Sequence, residues 1–397
     1  MRRHGIPRSL LTLAAVVAVV VGACSGPVFA NPPAERPVVT PAPTAEPRAA
    51  DPQPVELPRD DGPHDRLTEW WYYTGHLRAD DGTRLGFEYV VFRAERGGFP
   101  VSWASHLALT DEAGGAFHYA QRAEIGPQAD GSPRDASGTP TGFSLVVSGL
   151  DVTGSIPAGS TPWTMAGSLG EDRLAAIASS AEVRGDPVDG FGLELTLTPR
   201  KAPALHDEDG YIDFGVAGGS YYYSRTSMGA DGTVTLGDRT LAVDGDAWFD
   251  HQWGDFISVG GGGWDWFAVN LEDGTDLTVS LVRAGDGSYP LVYGTLVAPG
   301  GTTRHLERDA FSVEVTETWT SPTTGAAYPA AWTIRLPEDG LDIPLRPTVA
   351  QQELDTRGTT GVVYWEGSQV VTATRAGVPL TGEAYVELTG YLTGDAR

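Results

Sequence analysis

Residues Arg84 to Arg93 read RLGFEYVVFR. An extended chain sends successive side chains to opposite sides, so Phe87, Tyr89 and Val91 share one face and Glu88, Val90 and Phe92 the other. Both faces carry enough apolar surface to need cover. An open sheet with one wet face does not supply that; a barrel wall whose outside is itself covered, or two barrels packed together, does.

The flanking sequence repeats the theme. Short alternating segments are separated by Asp80-Asp81-Gly82-Thr83, Ala129-Asp130-Gly131-Ser132, Ala230-Asp231-Gly232-Thr233, Glu272-Asp273-Gly274-Thr275 and Gly285-Asp286-Gly287-Ser288. Asp-Gly pairs provide the positive backbone dihedrals of tight hairpins, so the spacing predicts antiparallel strands joined locally. Gly170 to Val183, the best helix candidate after the N-terminal region, lacks a clean apolar stripe. The chain is read as all-β, and its 397 residues suffice for two cores. The glycine-rich run Gly254 to Gly263 is the loosest point and the expected boundary between them.

Composition narrows the partners. With 27 Lys and Arg against 52 Asp and Glu the net charge is −25, and no basic stripe interrupts it, which argues against nucleic acid. Arg2, Arg3 and Arg8 precede an apolar run, Leu10 to Val21, too short to span a bilayer but suited to an export signal. The run leads into Val21-Gly22-Ala23-Cys24, which resembles a lipoprotein cleavage box and makes Cys24 the expected lipidated residue and membrane anchor. Cleavage after Ala30, with a freely secreted product, is the alternative. Residues 25–57 are rich in Pro and Ala and are expected to form a disordered tether after the signal of residues 1–24. A single cysteine excludes an intrachain disulfide.

The chemistry concentrates in Asp246 to Asp255, DAWFDHQWGD. As a strand it places Trp248, Asp250 and Gln252 on one face and Phe249, His251 and Trp253 on the other, so Asp250 and His251 do not touch. Trp264-Asp265-Trp266 repeats the pattern, and Glu69 to His76 divides Trp71 and Tyr73 from Trp70, Tyr72 and His76. Either these rings fill cores or they line an apolar pocket with a few polar groups. Tyr222, in a run of three tyrosines, and His106, among small residues, pose the same choice. His206-Asp207-Glu208-Asp209-Gly210 is expected to be an exposed acidic turn. No nucleophile elbow, phosphate loop or dinucleotide fingerprint occurs, and none of the 8 histidines forms a paired metal motif, so no metal or other cofactor is expected.

The segments EWWYYTGHL (Glu69 to Leu77), SHLALTD (Ser105 to Asp111), YYSRT (Tyr222 to Thr226), AWFDHQWGD (Ala247 to Asp255), WDWFAVNLEDG (Trp264 to Gly274), VYWEGS (Val363 to Ser368) and AYVELTGY (Ala384 to Tyr391) together resemble the carotenoid 1,2-hydratase and AttH-like proteins. The resemblance implies two consecutive lipocalin-like β-barrels packed together, here residues 58–255 and 256–397, with a ligand site in or between them. It matches His251 and Trp253 to the His-x-Trp of the hydratases. Hydration of an isoprenoid double bond needs a neutral carboxylic acid to protonate the alkene, with Asp250 and Asp265 as candidates. It also needs aromatic faces for the cation, offered by Trp253, Trp264 and Trp266, and a group such as His251 to orient water. The same lining suits a carrier that leaves its lipid unchanged. Saccharide binding would instead require a solvent-facing row of indoles.

Overall fold

The computed structural model describes residues 51–150, 156–168, 170–256 and 261–392. Two curled antiparallel half-barrel sheets make up the protein, one of 13 strands drawn from Thr68 to Gly254 and one of 10 drawn from Gly261 to Thr389. Among the described residues helix is confined to short 3-10 turns. The Asp-Gly signals at Gly82, Gly274 and Gly287 close hairpins with positive φ, as their sequence context requires. Ala230-Asp231-Gly232-Thr233 does not turn. It runs inside the 18-residue strand Gly219–Leu236, paired on both sides, and a Cβ on Gly232 would meet the Glu194 carbonyl oxygen at 2.0 Å. Close backbone approach, not a turn, selects that glycine. Residues Gly170 to Val183 likewise yield a strand, Asp172–Ala178.

Each sheet pairs its first strand with its last. Thr68–Ala79 lies beside Arg239–Gly254, with Thr68 opposite Gly254. Gly261–Leu271 lies beside Val378–Thr389, with Asp265 opposite Leu388. Leu85, Phe87, Tyr89 and Val91 enter the core of the first half-barrel, while Val90 and Phe92 enter a second apolar layer with Tyr72, Trp248, Trp266, Ala268 and Tyr385. That layer is the seam between the sheets, so the two-sided apolar pattern of Arg84–Ala94 is the mark of one sheet covered by another.

Polar groups register the seam. The Tyr72 hydroxyl donates to Glu366 at 2.7 Å and the Tyr364 hydroxyl to Glu88 at 2.8 Å. Thr110 donates to Gln352 at 2.7 Å, and Thr226 to Asp276 at 2.6 Å. Residues before Pro58 also belong to the body. Asp51 bridges Arg66 at 2.7 Å and accepts from the Tyr221 hydroxyl at 2.8 Å, so residues 51–57, assigned to the tether from sequence, pack against the first sheet. Inside the first half-barrel, fully buried Arg225 spans Asp61 at 2.5 Å and Asp172 at 2.6 Å, locking the Arg59–Asp61 turn to the sheet.

Two outcomes follow from these buried charges. Replacing Arg225 by Met strands two carboxylates in an apolar interior and is expected to remove about 3–5 kcal/mol of stability in denaturant unfolding; a loss below about 1 kcal/mol would show that the triad is not what holds the turn. At the seam, burial pushes Glu88 from its ordinary 4.5 up to about 8 and Glu366 well above its usual range. The folded state therefore keeps protons that the unfolded chain releases near pH 4.5. This contribution is complete below that pH and is lost as pH rises toward about 8. Thermal melts across that window should show a falling Tm in the wild type and a flatter profile in Glu88→Gln.

Candidate active site

The strand Arg239–Gly254 carries the site because both faces of its second half, from Ala247 to Gly254, are buried. Trp248, Asp250 and Gln252 point into the seam, and Phe249, His251 and Trp253 point into the first half-barrel. On the seam side lies a cavity of about 90 Å³, walled by Trp70, Tyr72, Tyr222, Trp264 and Trp266, with Asp250 and Glu387 as its carboxyl groups. Phe214 and Phe256 line it as well, and they meet edge to face at 5.4 Å. Trp70 stacks on Trp264 at 6.3 Å, and Trp266 meets Tyr72 edge-on at 5.3 Å.

Asp250 is held by three donors. One oxygen accepts from the Trp248 indole at 2.7 Å and from the Ser224 hydroxyl; the other accepts from the Tyr222 hydroxyl at 2.5 Å. Tyr222 in turn accepts from the Trp266 indole at 3.0 Å. Behind Ser224, at 2.7 Å, stands His206, whose other nitrogen is 2.8 Å from Thr295 across the seam. Burial pushes His206 down to about 3, so this imidazole is neutral and its part is to orient Ser224. Burial drives Asp250 up to about 7 although all three donors favour its charged form. Glu387 also rises to about 7 through burial, with the nearby Asp250 charge adding to the shift. It has fewer donors than Asp250 and is only half-buried, open to the cavity. When the two share a single proton, Glu387 is the better place for it.

Of the residues singled out from sequence, Asp250, Tyr222, Trp264 and Trp266 meet at this cavity. His251, Trp253, Trp71 and Tyr73 do not. Strand alternation puts them in the first half-barrel, where Trp71 stacks on His251 at 4.6 Å and Tyr73 donates to Asp172 at 2.7 Å. His251 therefore cannot orient a water for Asp250. Asp265 faces the interior of the second half-barrel, bonded to Arg283 and to the Tyr391 hydroxyl, each at 2.9 Å, and does not line this cavity. His106 sits in the seam between Tyr364 at 2.8 Å and Thr359 at 3.0 Å, pushed by burial down to about 3, and does not line the cavity. Cys24 lies outside the described residues. None of the 11 tryptophans is solvent-exposed, which leaves the saccharide reading without its row of indoles.

Glu387 and His206 were not marked by sequence reasoning. Glu387 falls inside the quoted AYVELTGY segment, where a lone glutamate in a strand carries no signal until its cross-strand neighbour Trp266 is known. His206 sits in the supposed exposed turn, yet it is fully buried. A larger open groove of about 700 Å³ continues the seam beyond Trp248, and its charges are paired, Arg78 and Arg84 with Glu383 at 2.6 and 2.9 Å and Arg200 with Asp246.

The comparisons agree with this architecture. A crystal structure described as an AttH from Nitrosomonas europaea is 32% identical, with a TM-score of 0.69, covering 85% of this chain and 98% of that one. Kievitone hydratase from Nectria haematococca shares the fold at 16% identity and a TM-score of 0.59, over 85% and 93% of the two chains. CghA bound to Sch210972 does so at 13% and 0.50, over 83% and 90%. No curated protein matches the chain. With the AttH-like family model matching residues 48–391, and with two lipocalin-like half-barrels meeting at an aromatic seam, the chain belongs to the AttH-like family.

Proposed function

We propose that the seam cavity binds the unsaturated end of an apolar small molecule, of isoprenoid or lipid type, and that the protein adds water across its carbon–carbon double bond. The observation that carries this reading is the pair of carboxyl groups, buried Asp250 and half-buried Glu387, both pushed up to about 7 and both facing one chamber lined by indole and phenol rings. A site prepared for an anion would not place two desolvated acids beside three tryptophans. Its size favours a chain terminus: about 90 Å³ is below the roughly 150 Å³ that accommodates a benzene ring and far below a drug-sized pocket. A terminal dimethyl alkene fits that scale, with the rest of the chain left outside the chamber. A carotenoid 1,2-hydratase-like reaction is the specific form of this proposal.

The steps balance without a redox partner. Glu387, as the neutral acid, donates its proton to the less substituted alkene carbon. The positive charge forms on the tertiary carbon, where the faces of Trp264 and Trp266 and the Asp250 carboxylate stabilise it. Water adds to that carbon, and its surplus proton passes to Asp250, directly or through the Tyr222 hydroxyl. The product is the tertiary alcohol. Exchange with solvent then returns Glu387 to its acid form and Asp250 to its anion.

The alternative is a carrier, supported by the three donors around Asp250, an arrangement that also keeps a buried carboxylate inert. The exported, Cys24-anchored location expected from the sequence serves either role at the cell envelope. Incubation with acyclic isoprenoids followed by mass spectrometry separates them. A gain of one water in the released species supports hydration, and an unaltered bound lipid supports carriage.

For the hydration reading, Glu387→Gln is expected to lower kcat by at least about 100-fold while ligand binding persists, consistent with loss of a general acid. Wild-type kcat/KM should fall as pH rises through about 7, because Glu387 then gives up its proton. A Glu387→Gln variant with wild-type turnover would end the assignment. Tyr222→Phe removes one donor from Asp250 and is expected to raise that carboxyl further, moving the acid limb of the profile to higher pH.

A further inference from the structure

On the opposite face of the same strand lies a cluster that the hydration scheme leaves unused. His251 Nε2 is 3.0 Å from Glu69 Oε1, and His64 Nδ1 is 2.7 Å from that same oxygen. All three atoms lie within 4.8 Å of one another. The other Glu69 oxygen accepts the His64 backbone N–H at 2.9 Å, which fixes the carboxylate's aim and leaves Oε1 as the point of convergence. Two rings hold the imidazoles in place: Trp253 stacks on His64 at 4.2 Å, and Trp71 on His251 at 4.6 Å.

We propose that His64, Glu69 and His251 form a binding site for a divalent first-row transition ion, with zinc as the reference case. Two imidazoles and one carboxylate are the donor set of open, three-ligand zinc sites. Bonds of about 2.0–2.2 Å in a tetrahedron separate ligand atoms by about 3.3 Å, so the two contacts to Glu69, 2.7 and 3.0 Å, need to open by about 0.3–0.6 Å, and the two imidazole nitrogens, within 4.8 Å of each other, need to settle at the same separation. A second shell is in place on one side. Once His64 Nδ1 binds the ion, its proton resides on Nε2, which lies 3.4 Å from Asp60 Oδ1, the carboxylate–histidine–metal arrangement. Entry is available because His64 is partly exposed while Glu69 and His251 are buried. The site joins three separate pieces of chain: the segment after the Arg59–Asp61 turn, the first strand, and the last strand of the sheet. An ion there would clip the turn segment to the half-barrel.

The test uses the full protein stripped by chelator dialysis and then loaded with Zn²⁺ or Co²⁺. One equivalent should survive desalting. The cobalt form should show the intense visible d–d absorption of a four-coordinate centre, and zinc should raise Tm. Glu69→Gln and His64→Ala should each abolish retention, and Asp60→Asn should weaken affinity about tenfold. Folded wild-type protein that retains no ion overturns the proposal, as does equal retention by folded His64→Ala. That variant alters the partly exposed member and decides the matter if Glu69→Gln does not fold. None of these readouts involves turnover, so they stand apart from the fate of the seam cavity.

Discussion

A strand that is apolar on both faces must be covered twice, and this constraint organises the protein. The second half of Arg239–Gly254, from Ala247 on, presents Phe249, His251 and Trp253 to the first half-barrel and Trp248, Asp250 and Gln252 to the seam, with no face left for water. Alternation fixes the assignment, since a slip of one residue would exchange every member of one set for the other. The same backbone therefore builds two chemically distinct surroundings a few ångströms apart, one rich in acids beside indoles, the other rich in imidazole and carboxylate.

The seam itself is more polar than a simple apolar contact between two sheets. Tyrosine–carboxyl pairs cross it at Tyr72–Glu366 and Tyr364–Glu88, and the acids there are neutral in large part because burial penalises their charge. Apolar contacts such as Trp248 with Trp266 supply cohesion without direction. The hydroxyl–carboxyl bonds supply register, because a shifted docking would leave several buried acids without donors. The cavity depends on that register: its walls come from both sheets, and Tyr222 bonded to Trp266 spans the gap.

The fold was legible where physics acts locally. Arg84–Arg93 showed two buried faces, the glycines at 82, 274 and 287 marked hairpins, and the division of Asp250 from His251 followed from a period of two. What stayed hidden depends on partners distant in sequence. Nothing in the spacing of Glu69 and His251, 182 residues apart, announces that their side chains meet, and His64 joins them from a loop. The chamber expected from sequence combined indole and imidazole; the one found keeps the indoles and has no histidine among its walls, because His251 takes the other face. Glu387 became visible only when the second sheet brought it opposite Trp266.

Because each sheet closes first strand against last, the chain enters and leaves each half-barrel at neighbouring points: Thr68 beside Gly254 in one, Asp265 beside Leu388 in the other. A module built this way can be copied head to tail with only a short connector and no threading, which is a simple route from one ancestral barrel to a tandem pair. It also makes either half open to circular permutation, since new ends can be cut at a distant hairpin while the old ones are joined across a gap of one strand spacing.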